Sequence, residues 1–309
     1  MRVRVKKGGR GRGEGEDGSI NADVPLRSVV VAVGVAGCVF LGGCGVSGEG
    51  PAVVEGLAGE GIHYEVSGRG EPLVLLHGFS LDLRMWEPQL AELEREHRVI
   101  RYDLRGHGRS VAIADSFAAH EDLRAVLDAA GVERGILVGL SAGSRIAVDL
   151  ALAYPERVSR MVLSSPGLGG YEPAGSFTWM ARVMDAIRGG DAAAAARRWA
   201  ETPLMSIPTR PAGDSLMRAI VAANAGLWRI ASNPERGLMP PAIGRLGEID
   251  VSVLVIVGER DLPDTHAVAD TLVARIRGAR KEVIAGAGHM LNLAEPEAFN
   301  AAVRAFLRN

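Results

Sequence analysis

Cysteine is scarce in this chain of 309 residues. There are two, Cys38 and Cys44, both inside one apolar stretch. The chain after residue 44 has none, which excludes a disulfide framework and a thiolate metal site from its body. Histidine pairs at metal-binding spacing are also missing, since the seven histidines form no H-x-H and no H-E-x-x-H. Charge of one sign is lacking too. The balance is 35 Lys and Arg against 37 Asp and Glu, so there is no basic footprint of a nucleic-acid binder. No segment recurs with a period of 20–50 residues, which argues against a repeat solenoid. Apolar residues are plentiful at 47%, on a length that holds one large α/β domain or two small ones.

The first fifty residues differ from the rest. Residues 1–27 are rich in Gly, Arg and Glu, carry seven basic and four acidic side chains, and read as disordered. Ser28 to Gly48 contains no charge. A basic segment, an apolar run and small residues at its end form a secretory signal pattern. Leu41-Gly42-Gly43-Cys44 resembles the lipobox of bacterial lipoproteins, and the resemblance implies cleavage before Cys44 and lipidation of its thiol. Val35-Ala36-Gly37-Cys38 fits the same pattern after a shorter apolar run. Residues 1–44 are thus expected to be leader and signal, and 45–51 a flexible tether. The protein is expected to be exported and held on a bacterial membrane by lipid. The alternative is an uncleaved anchor, since 21 uncharged residues can just span a bilayer, although six of them are glycines.

From residue 52 to 309, short apolar runs alternate with helical patterns. Strands are expected at 52–57, 61–66, 72–76, 98–102, 136–140, 160–163, 251–257 and 281–284. Helices are expected at 87–95, 120–130, 142–154, 266–276 and 296–307. That alternation predicts an α/β fold, a mostly parallel sheet with helices on both faces. Sites in such sheets form beyond the carboxyl ends of the strands. The stretch 167–247 breaks the rhythm with helical patterns alone and reads as a cap inserted between two strands. It holds three of the four tryptophans and five of the nine methionines. Trp179, Met180, Met184 and Trp228 are candidates for a deformable apolar substrate pocket.

Gly139-Leu140-Ser141-Ala142-Gly143 follows an apolar strand and opens a helix. A sharp turn there raises a serine hydroxyl above the sheet, and the helix start offers free amides where an oxyanion would form. Several further motifs accompany it: His77-Gly78-Phe79 after a strand, Asp103 to Ser110 as D-x-R-G-x-G-x-S, Gly258-Glu259-Arg260-Asp261, and Gly286-Ala287-Gly288-His289. Together they resemble the capped members of the α/β-hydrolase family over nearly the whole body. One departure is Ser144, where many members carry another glycine.

The resemblance implies Ser141 as nucleophile, His289 as its base and Asp261 as the acid that orients the base, in the chain order expected of this fold. Asp264 is the runner-up acid. The strand before the cap ends in Ser164-Ser165-Pro166, without a carboxylate, which supports Asp261. Oxyanion donors are expected from the backbone amides of Phe79 and Ala142. His77 is read as shaping the oxyanion loop, Asp103 and His107 as turn residues, and His63, His97, His120 and His266 as surface or packing residues. The expected reaction is acyl transfer from a small or medium hydrophobic ester or lactone to water, without metal or cofactor. Cofactor-free perhydrolysis, carbon–carbon bond hydrolysis on the same fold, and a ligand-binding lipoprotein without catalysis are the alternatives.

Overall fold

The computed structural model describes residues 53–308 apart from 176 and 230–233. The leader, the apolar run with Cys38 and Cys44, and the tether lie outside the described residues. Eight strands form one sheet: β1 Val54–Ala58, β2 Ile62–Gly68, β3 Glu71–Leu76, β4 His97–Tyr102, β5 Gly135–Leu140, β6 Val158–Ser164, β7 Ser252–Gly258 and β8 Arg280–Ile284. Their order is β1-β2-β4-β3-β5-β6-β7-β8. The pairs β1–β2 and β2–β4 are antiparallel, and the rest are parallel.

Alternation of side chains along each strand sorts the core into two layers. Leu73, Leu75, Val138 and Ile256 face one side, where α1 Glu87–Leu93 and the helix Pro296–Leu307 pack. Val74, Leu76, Leu137 and Val255 face the other, under α2 Ala119–Ala129, α3 Ala142–Ala153 and α7 Pro263–Arg275. Because both faces are covered, the central strands read as unbroken apolar runs, and this made them legible from sequence.

Between β6 and β7 lie α4 Met180–Arg188, α5 Ala192–Ala200 and α6 Pro211–Ala223, with short 3₁₀ turns. The described part of this insertion has no strand. It makes one isolated parallel bridge to the body, Phe117 with Glu235. Polar contacts reinforce the junction. Asn224, at the end of α6, accepts from the Gly108 amide at 2.7 Å and donates to Asp82 Oδ2 at 3.1 Å. The Asp264 carboxylate accepts from the Tyr171 hydroxyl and the amides of Ala174 and Gly175. Among the described residues no helix is long and apolar enough to cross a membrane.

Candidate active site

The turn from β5 into α3 is tight for a measurable reason. A Cβ at Gly139 would lie 2.5 Å from the backbone of Gly143 and Ser144, and one at Gly143 would lie 2.2 Å from the Leu76 carbonyl. Between them Ser141 adopts φ 55° and ψ −109°, a left-handed conformation that costs a serine on the order of 1–3 kcal/mol. The surroundings hold it there. Its amide donates to the Ser164 carbonyl at 2.9 Å, and its own carbonyl accepts from Gly167 and Arg145 at 3.1 Å each. Ser144, the family departure, also braces the turn. Fully buried, its hydroxyl donates to the carbonyls of Gly139 at 2.8 Å and Ser164 at 3.2 Å. The chain distance between Ser144 and Ser164 hides that bond from the sequence.

Ser141 and His289 share the walls of one small pocket of about 70 Å³, together with Gly78, Phe79, Leu140 and Trp199. His289 Nδ1 lies 3.0 and 3.1 Å from the two oxygens of Asp261, and Asp261 Oδ1 also accepts from the Leu262 amide at 2.7 Å. Burial pushes the Asp261 carboxyl up, but attraction to His289 and the hydrogen bonds it receives outweigh that and leave it below the usual range. An ionised carboxylate only accepts, so Nδ1 carries a proton, and in the neutral ring the lone pair is on Nε2. Asp264, the other acid considered, is committed to the start of the insertion as described above.

The first turn of α3 leaves the Ala142 amide without an intrahelical acceptor. The facing loop, His77 to Leu81, is held by two buried imidazoles. His77 Nδ1–H donates to the Gly78 carbonyl at 2.8 Å, and its Nε2 accepts from the Leu104 amide at 2.9 Å. His107 Nδ1–H donates to the Arg105 carbonyl at 3.0 Å, and its Nε2 accepts from the Ser80 amide at 3.2 Å. Burial lowers His77 to about 4, and burial with repulsion from His77 lowers His107 to about 3, so both rings stay neutral. Asp103 organises the next turn, accepting from Leu83, His63 and Arg109.

These two rings make stability depend on pH. Their folded pKa values lie below the unfolded value, so the unfolded chain binds more protons as pH falls below about 6.5. Stability is therefore full above that pH and is lost on acidification toward 4. Urea unfolding is expected to show a loss on the order of 2 kcal/mol per imidazole between pH 7 and 4.5. His107→Gln should flatten that slope; an unchanged slope would contradict the account.

A larger cavity of about 480 Å³ opens beside the turn, and its walls include Phe79 and Ala142. Of the insertion residues singled out in the sequence, Met184 and Trp228 line it, with Phe117, Ile146 and Leu227. Trp179 and Met180 do not; they pack into the apolar layer, where the Trp179 ring meets Trp199 at 6.0 Å. Of α4, Met184 and Ile187 reach the cavity. Four charged groups also line it, and they cancel in pairs. Arg105 is bidentate on Asp122 at 2.9 and 2.7 Å, and Arg145 meets Glu235 at 2.6 Å.

One trio among the described residues has metal-ligand types in reach of one another: Glu55, His63 and Glu65, with one ligand atom of each within 4.8 Å of the others. Its members are engaged elsewhere. Glu55 pairs with Arg109, Glu65 with Arg101, and His63 with Asp103. Two guanidinium groups already neutralise its carboxylates. The trio lies on the β1–β2 hairpin, not among the residues around Ser141.

A family model described as the alpha/beta hydrolase fold matches residues 71–296, and the chain belongs to that family. It is 28% identical over 255 residues to 3-oxoadipate enol-lactonase 2 of Acinetobacter baylyi, covering 80% of this chain and 93% of the relative. It is 29% identical over 262 residues to (E)-2-((N-methylformamido)methylene)succinate hydrolase of the same organism, covering 79% and 93%. Among solved structures it resembles the enol-lactonase from Burkholderia xenovorans, with TM-score 0.65, 25% identity and coverage of 83% of this chain and all of that one.

Proposed function

We propose that this protein is a serine hydrolase that cleaves a small or medium hydrophobic carboxylic ester or lactone through an acyl-enzyme. One observation carries the reading: a strained serine, Ser141, shares a pocket with an imidazole whose Nδ1 is held by an ionised, buried carboxylate. Ser141 attacks the carbonyl carbon while His289 Nε2 takes its proton. The amides of Ala142 and Phe79 stabilise the oxyanion. His289 then protonates the leaving oxygen, and water, deprotonated by the same imidazole, releases the acid. These steps call on no cofactor. The mainly apolar cavity beside Ala142 suits a hydrophobic acyl or lactone portion. The names of the enol-lactonase relatives favour the same substrate class.

Turnover of short p-nitrophenyl esters and a lactone panel tests the reading, with a fluorophosphonate probe expected to label Ser141 stoichiometrically. No turnover and no labelling would overturn it. Peracid formation from peroxide and a carboxylic acid, in place of hydrolysis, would favour the perhydrolase alternative.

We further propose that Cys44 carries a lipid anchor outside the membrane of export. The support is the uncharged run ending in Leu41-Gly42-Gly43-Cys44. Radiolabelled fatty acid is expected on the wild type in bacterial cells and not on Cys44→Ser. Label retained by that variant would move the anchor to Cys38 or remove it from this motif.

A further inference from the structure

We infer that Trp199, on α5 of the cap, is a positioning residue for the oxyanion loop: its indole N–H, through the Ser80 hydroxyl, anchors the residue that follows Phe79, whose amide is the expected oxyanion donor. The inference rests on the hydrolase reading above. Trp199 Nε1 donates to Ser80 Oγ at 2.7 Å, in a buried contact 119 residues apart in sequence. Ser80 is fully buried and sits at φ 64°, a backbone that serine does not adopt without support. Its two polar groups are fastened from opposite sides. The body holds the amide, through His107 Nε2, and the cap holds the hydroxyl.

Phe79 lies between two fixed points. On one side the Gly78 carbonyl accepts from the His77 ring and from the Leu81 amide. On the other is Ser80. The Phe79 ring is clasped edge-on by Trp199 at 5.9 Å, Trp228 at 5.4 Å and His107 at 5.8 Å. Cap and oxyanion loop are therefore joined by one directional bond and by ring contacts. Burial of an indole does not by itself require such a bond here, because the buried N–H groups of Trp86 and Trp228 have no partner among the described residues. The donor of a transition-state charge must be placed within a few tenths of an ångström. A cap that fixes Ser80 makes catalytic competence depend on the cap being seated, while substrate affinity rests on the cavity walls.

The test uses Ser80→Ala, which removes the bond with little change in volume, and Trp199→Phe, which keeps an aromatic ring but loses the N–H and part of the ring contacts. Kinetics on p-nitrophenyl butyrate are expected to show kcat lowered by about tenfold, less than the 10²–10³ of losing a donor outright. KM should stay within about twofold, since uniform binding is untouched. Inhibition by a trifluoromethyl ketone, whose adduct bears the oxyanion, should weaken by the same factor as kcat. The double variant should be no worse than the worse single one, because both remove one bond. Wild-type kcat in either well-folded variant, a loss confined to KM, or additive losses would overturn the inference. Fluorophosphonate labelling of Ser141 separates the two levels. A labelled, active wild type with unaffected variants defeats only the role of Trp199. An unlabelled, inactive wild type defeats the hydrolase reading and this inference with it.

Discussion

Ser141→Ala is expected to lower kcat/KM for ester hydrolysis by about 10⁵–10⁶-fold, or roughly 7–8 kcal/mol of transition-state stabilisation. Alanine removes the attacking oxygen and nothing else. The small side chain suits the same left-handed turn no worse than serine does, and the braces from Ser164, Gly167 and Arg145 are main-chain contacts that survive. Stability should therefore change little, and a thermal melt would establish that the variant is folded. Residual rate should come from the oxyanion amides acting on water-borne attack. Fluorophosphonate labelling should disappear with the activity. A variant within tenfold of the wild type would place the chemistry elsewhere and leave the strained turn without a purpose.

Asp261→Asn is expected to cost about 10⁴-fold in kcat, or roughly 5.5 kcal/mol. The carboxylate holds the proton on Nδ1 of His289. An asparagine amide can turn its NH₂ toward Nδ1 and drive the proton to Nε2, where it can no longer accept from Ser141. Shape and burial are conserved, so the loss reports tautomer and charge rather than packing. The matched control is Asp264→Asn. Its carboxylate is spent on Tyr171, Ala174 and Gly175, so this variant should keep kcat within a few-fold. A reversal of the two outcomes would assign the orienting role to Asp264.

The positions of the central strands were readable because they are buried on both faces, and Pro72–Leu76 or Val251–Val257 can be little else. Ser141, Asp261 and His289 were readable for a different reason, since each stands in a short loop right after a strand. Local spacing did not reveal the side chains that act across long chain separations. Ser144 braces Ser164, Trp199 reaches Ser80, and Arg145 meets Glu235 ninety residues away. No periodicity encodes such pairs. Where the insertion's aromatic and methionine side chains lie was hidden on the same ground. Composition marked the insertion as Trp- and Met-rich, but only the helix orientation decides that Met184 enters the cavity while Trp179 stacks on Trp199.

Among the described residues, three that are not glycine hold left-handed backbone angles, and all are serines near the proposed chemistry: Ser80, Ser141 and Ser165. Each is tensed by on the order of 1–3 kcal/mol against a relaxed chain. The reactive rim is thus a sprung region carried by two quiet apolar layers beneath it. Efforts to toughen this enzyme by smoothing its backbone would find the easiest gains where they do the most harm.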